Sequence, residues 1–144
     1  MTASVRTSDS EIATIRDVVC KDARIRVDVR GGGGEGKPVL LVHDFLSDRQ
    51  EWEAISGRLS EHFRVLAVDL PGFGESEKPR HGSGPGRFGY DFDGFAEALV
   101  DVAGALDAAP LSVCGHGLGA AIAIALAERH PTMVERLVLV APPI

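Results

Sequence analysis

The sequence predicts an α/β domain: a mostly parallel, twisted sheet of about six strands with helices on both faces. Three observations point there. Short runs of apolar residues, of the kind a strand buried on both faces requires, recur at 38–42, 63–70, 111–114 and 137–140. Stretches with helical spacing of apolar residues separate them. Two alternating segments come first, and the strand–helix alternation that follows builds parallel neighbours through right-handed crossovers.

Each element has its own warrant. Residues 12–19 and 25–29 alternate apolar and polar, the second most cleanly as Ile25-Arg26-Val27-Asp28-Val29, and read as half-buried strands. The Gly-rich segment 31–36 reads as a turn, because no Lys-Ser/Thr follows it in phosphate-binding register. After the buried strand 38–42, residues 47–62 read as one helix: Asp48 and Glu51 are spaced as a capping box, and Trp52, Ile55 and Leu59 share a face. The strand 63–70 is halted by Pro71-Gly72-Phe73-Gly74, and a polar loop covers 75–90. Asp91 can cap a helix with the stripe Phe92, Phe95, Ala96, Leu99, Ala103 and Leu106. A short strand, 111–114, runs into a helix that is apolar almost all round, 118–127 within 118–129, and 137–140 is the final strand. Helices 47–62 and 118–129 are expected on opposite faces of the sheet.

Bulk properties narrow the function. A chain of 144 residues suits a single domain spanning 1–144, and no repeat or linker divides it. The net charge of −6, with no basic stripe, argues against a nucleic-acid partner. No apolar stretch approaches membrane-spanning length, and the polar start carries no apolar signal core, so a cytoplasmic protein without membrane contact is expected. Cys20 and Cys114 match no metal or redox spacing, which fits a reducing compartment. No metal or other cofactor is implied.

The informative segment is Val113-Cys114-Gly115-His116-Gly117-Leu118-Gly119-Ala120, which joins strand to helix with almost no loop. In the elbow G-x-S-x-G, such a turn forces its central residue out at the top of the sheet. With Leu41-Val42-His43-Asp44-Phe45 and Asp69-Leu70-Pro71-Gly72-Phe73-Gly74-Glu75-Ser76 in order before it, the chain resembles the α/β-hydrolase family, nearest its epoxide-hydrolase, dehalogenase and esterase-like branch. The likeness runs from about Asp22 through His130-Pro131 to the last strand. It implies a partial hydrolase fold, without cap or last two strands, and relatives that hydrolyse small-molecule esters, epoxides or similar compounds.

The departures matter most. The family places Ser, Asp or Cys at the elbow; this chain has Gly117, which carries no nucleophile. The family's acid and catalytic His follow later strands than any present here. Asp44 stands where the family has Gly, and a carboxylate there opposes a developing oxyanion unless it points away. The resemblance assigns the backbone N–H groups of Phe45 and Leu118 to an oxyanion hole and makes His43, Asp44 and His116 candidates to line the pocket. His43 is expected to brace the loop and His116 to line the elbow, since the sequence offers neither an oriented partner. Cys114 reads as a small buried hydrophobe, and Asp69 as a brace for loop N–H groups. Asp44 as a substitute nucleophile is disfavoured, because it lies off the elbow.

Gly115, Gly117 and Ala120 also fit the dinucleotide fingerprint G-x-G-x-x-A, but in the third strand–helix unit rather than the first, and with no acidic end to the next strand. The expectation is an inactive hydrolase-like chain. The alternative is a noncatalytic binding module or one completed by a partner. Leu137 to Val140 would form an apolar sheet edge, so the domain is expected to continue past Ile144, or to pair as a homodimer or with a completing partner through 137–140 and helix 118–127.

Overall fold

The computed structural model describes residues 13–21, 23–32 and 36–143. The polar start, with the first residue of the strand expected at 12–19, and the centre of the Gly-rich turn lie outside them.

Six strands form one sheet in the order β1-β2-β4-β3-β7-β8. They are β1 (Thr14–Val19), β2 (Arg24–Arg30), β3 (Lys37–Val42), β4 (Phe63–Val68), β7 (Leu111–His116) and β8 (Val134–Val140). The pairs β1/β2 and β2/β4 are antiparallel; β3/β4, β3/β7 and β7/β8 are parallel. The mixed α/β sheet of six strands is therefore as the sequence predicts. Strands β5 (Arg80–His81) and β6 (Arg87–Phe88) make a two-stranded ribbon inside the segment read as loop.

Alternate residues of each central strand face opposite layers. Leu40, Val42, Leu66, Val68, Leu111 and Val113 face a large core closed by α2 (Phe92–Ala105) and α3 (Leu118–Arg129) through Phe95, Leu99, Val102, Ile122 and Leu126. Leu41, Val65 and Ala67 face the other layer, where Trp52 and Leu59 pack. The helical segment after β3 and helix α3 thus lie on opposite faces. Both-face burial is why the central strands read as unbroken apolar runs.

Four expectations need correction. Residues 47–62 are not one helix: a 3-10 turn, Arg49–Trp52, precedes α1 (Glu53–Leu59), and residues 60–62 form a turn. Short polar side chains compete for the backbone there, Ser56 Oγ donating to Trp52 O and Ser60 Oγ to Gly57 O. Asp48 does cap the turn, accepting from Gln50 N at 2.8 Å, but Glu51 does not complete a capping box; its carboxylate is used elsewhere. Ile55 and Phe92, assigned to buried stripes, are 42% and 50% exposed, each near the start of its helix and facing out. The strands at 63–70, 111–114 and 137–140 have shifted ends: β4 stops at Val68, β7 continues through Gly115 and His116, and β8 begins at Val134.

Strand β8 lies at one edge of the sheet, with Leu137, Val138, Leu139 and Val140 between 38% and 55% exposed. No helix among the described residues is long and apolar enough to cross a membrane.

Candidate functional site

The site forms where β3 and β7 end side by side, their last paired residues being Val42 and Gly115. Their following helical segments leave on opposite faces, and a crevice at such a switch point is where α/β sheets bind ligands.

Gly117 makes the turn with φ +55° and ψ −117°, a conformation that strains any residue with a Cβ. Its N–H donates to Val140 O at 3.0 Å. Gly115 and Gly119 permit the close approach on either side: a Cβ on Gly119 would lie 2.2 Å from Val42 O, and one on Gly115 would lie 2.3 Å from Gly119 O.

Asp44 is the centre of the arrangement. Its Oδ1 accepts from Phe45 N at 2.7 Å and from Leu118 N at 2.8 Å, so the two amides singled out in the sequence converge on one carboxylate oxygen. A Cβ built on Gly117 would fall 1.9 Å from Asp44 Oδ1 and 2.6 Å from Oδ2. The Asp44 carboxylate therefore occupies the volume that an elbow side chain would take. Asp44, which lies off the elbow in sequence, lies against it in space: β3 and β7 are neighbours, and the loop carries the carboxylate across. Hydrogen bonds from the Leu118 and Phe45 amides hold its carboxyl below the ordinary aspartate value, against a smaller opposing effect of burial.

The rest of Asp44 is equally fixed. Its N–H donates to Glu51 Oε2 at 3.0 Å, and its carbonyl accepts from Ser47 N and from His43 Nδ1. The second Glu51 oxygen, Oε1, contacts His116 Nδ1. Glu51 is thus the oriented partner of His116 that sequence reasoning missed, having assigned its carboxylate to the helix cap. His43 is fully buried; its Nε2 accepts from Leu70 N at 3.0 Å and its Nδ1–H donates to Asp44 O at 2.8 Å. Those two bonds fix the neutral Nδ1–H form and leave no nitrogen for a ligand.

Behind the site, Asp69 is completely buried. It accepts from the N–H groups of Arg49 and Glu75 and from Arg49 Nη1 at 2.6 Å, while Arg49 also meets Asp28 and Glu75. Asp69 does brace backbone N–H groups, and the Arg49 guanidinium is the charge partner the sequence did not disclose. Cys114 is half-buried among apolar neighbours, and burial pushes its thiol up.

A cleft of about 400 Å³ opens beside the elbow, walled by Phe45, Phe73, Tyr90, Phe92, Phe95 and Leu118. Asp91 stands in the same wall and also caps α2, accepting from Gly94 N at 2.6 Å. None of His43, Asp44 or His116 forms the wall itself; Asp44 lies directly behind Phe45 and Leu118, whose amides it engages.

This architecture, with its sharp strand-to-helix elbow beside a loop at a switch point, is that of a known family, and residues 37–144 match the family model of the alpha/beta hydrolase fold. The chain belongs to the α/β-hydrolase family. It is 31% identical to human (Homo sapiens) epoxide hydrolase 4 over 134 residues, covering 92% of this chain and 36% of that protein. It is 33% identical over 120 residues to 2-hydroxymuconate semialdehyde hydrolase from Pseudomonas sp. (strain CF600), covering 81% of this chain and 40% of that one. Among solved structures, the ligand-free epoxide hydrolase CorEH superposes with a TM-score of 0.82 at 27% identity, over 91% of this chain and 43% of that one. The chain thus spans well under half the length of these relatives.

Proposed function

We propose that this chain is a noncatalytic member of the hydrolase fold, which binds a small apolar molecule beside the elbow without hydrolysing it. One observation carries the reading: the Asp44 carboxylate sits in the place of the missing nucleophile, with one oxygen on the two amides that would serve as an oxyanion hole. A hydrolase needs those donors free for charge that develops in the transition state. Here a permanent anion already satisfies them, and a second anion at the same point would be repelled. His116 with Glu51 supplies a base and its orienting acid, but Gly117 offers them no hydroxyl to activate. Two unpaired cysteines accord with a reducing, cytoplasmic setting.

The test is turnover of an aryl ester and of a styrene-type epoxide by the purified 144-residue chain, with intact-mass analysis of the protein after each incubation. Background rates and an unchanged mass are expected. Gly117→Ser alone should gain nothing, because its side chain meets the Asp44 carboxylate. Multiple turnover by the unaltered chain, or a covalent adduct on Asp44, would overturn the reading; the adduct would make Asp44 a nucleophile relocated from elbow to loop.

A further inference from the structure

Five of the chain's eight Phe, Tyr and Trp residues wall one cleft. Phe45, Phe73, Phe95 and Tyr90 form a continuous series of ring contacts, with successive centroids 6.0, 6.4 and 6.1 Å apart. Phe45 and Phe92, at 61% and 50% exposure, hold large apolar surface in water at this opening. An apolar lining alone would suit any greasy ligand; the charges around this one are selective. The wall contains no Lys, Arg or His, and its single charged member is Asp91. The charge immediately behind it is that of Asp44, and its backbone donors, the Phe45 and Leu118 amides, are already spent on that carboxylate. Only Oδ1 of Asp44 accepts those bonds; Oδ2 has no hydrogen-bond partner among the described residues.

From this arrangement we propose that the cleft is a binding site for an apolar organic cation, an alkyl- or arylammonium ion, with the ring faces as its walls and Asp44 and Asp91 as its counter-charges. Aromatic faces attract ammonium groups through their quadrupoles, most strongly where water is excluded. Two carboxylates at such a box, Asp91 in its wall and Asp44 on the amides of Phe45 and Leu118, raise the local concentration of cations and disfavour acids. The inference rests on the noncatalytic reading above, because it takes the Asp44 carboxylate as a permanent feature of the site and not as a reacting group.

The experiment titrates the 144-residue chain with benzyltrimethylammonium, 2-phenylethanol and phenylacetate, followed by protein-observed NMR. The cation should bind about tenfold more tightly than the alcohol, with phenylacetate weakest. Asp44→Asn and Asp91→Asn each keep an oxygen for the local N–H groups while removing the charge. Each should weaken the cation roughly threefold and leave the alcohol unchanged. Phe92→Leu, at an exposed rim position, should weaken the cation by a similar factor without disturbing the fold. Equal affinity for cation and alcohol, tighter binding of phenylacetate, or indifference of the cation to all three substitutions would overturn the proposal. Turnover or an adduct in the preceding assays would instead overturn the noncatalytic reading, so the two failures are told apart.

Discussion

The seating of the Asp44 carboxylate depends on glycine at 117. With a Cβ at 117 placed 1.9 Å from Asp44 Oδ1, Gly117→Ala must both strain the turn and displace the carboxylate from its two amides. The expected loss is about 2 kcal/mol or more in urea unfolding. In an Asp44→Gly background only the backbone strain remains, so the same change should cost visibly less, with about 1 kcal/mol of coupling between the sites. Strict additivity would show that the carboxylate is not seated as described. The charge of Asp44 also makes a pH prediction. Its folded carboxyl titrates lower than that of an unfolded chain, so its stabilisation is complete above the unfolded value near ~4 and is lost as pH falls through the folded one. The stability difference between the unaltered chain and Asp44→Asn should therefore be level from about pH 5 to 7 and shrink below about pH 4.

The segment joining β3 to β4 is organised by charge as much as by apolar contact. Arg49, in the 3-10 turn, is 6% exposed and neutralises Asp69, which is fully buried, as well as Asp28. Arg49→Met should cost about 3–5 kcal/mol, because it strands a buried carboxylate; Arg49→Lys should recover part of that. A loss below about 1 kcal/mol would show that water reaches Asp69. The same segment marks where sequence reading ends. Continuous apolar runs disclosed the central strands, and the elbow glycines disclosed the turn, since both signals are local. The Asp48–Glu51 spacing is equally local, yet it served the wrong partner: Glu51 reaches Asp44 N and a histidine 65 positions away. A carboxylate's choice among competing donors is decided by which strands become neighbours, and the pattern of residues 47–62 does not contain that information. For the same reason the position of Asp44 in its own segment concealed its place at the elbow.

At the scale of the molecule, the strand order among the described residues leaves β1 and β8 as edges, and they differ. Strand β1 carries Arg16 and Asp17 among its exposed residues, the charged protection common on free edges. Strand β8 ends in Leu137-Val138-Leu139-Val140, all exposed, beside helix α3 with Ile124 43% exposed. The apolar edge was legible because an unbroken run at 137–140 needs cover on both faces. We propose that the 144-residue chain covers it by self-association: light scattering should give a mass rising with concentration, and Val138→Lys should restore the monomer by placing charge at the edge. A monomer at high concentration for the unaltered chain would refute this.

The mutual exclusion at the elbow also orders the steps by which such a site can be exchanged for a nucleophilic one. A chain with serine at 117 and glycine at 44 that acquires the aspartate first cannot seat its carboxylate as here, because that volume is already filled and the side chain must turn away from the two amides. Losing the elbow side chain first, and with it any covalent chemistry there, leaves the loop free to place its charge in this seat. The return journey favours the opposite order: a side chain at 117 has room once position 44 is emptied or its carboxylate turned aside. On the route that avoids this clash lies a chain with glycine at both positions, its paired amides of Phe45 and Leu118 vacant.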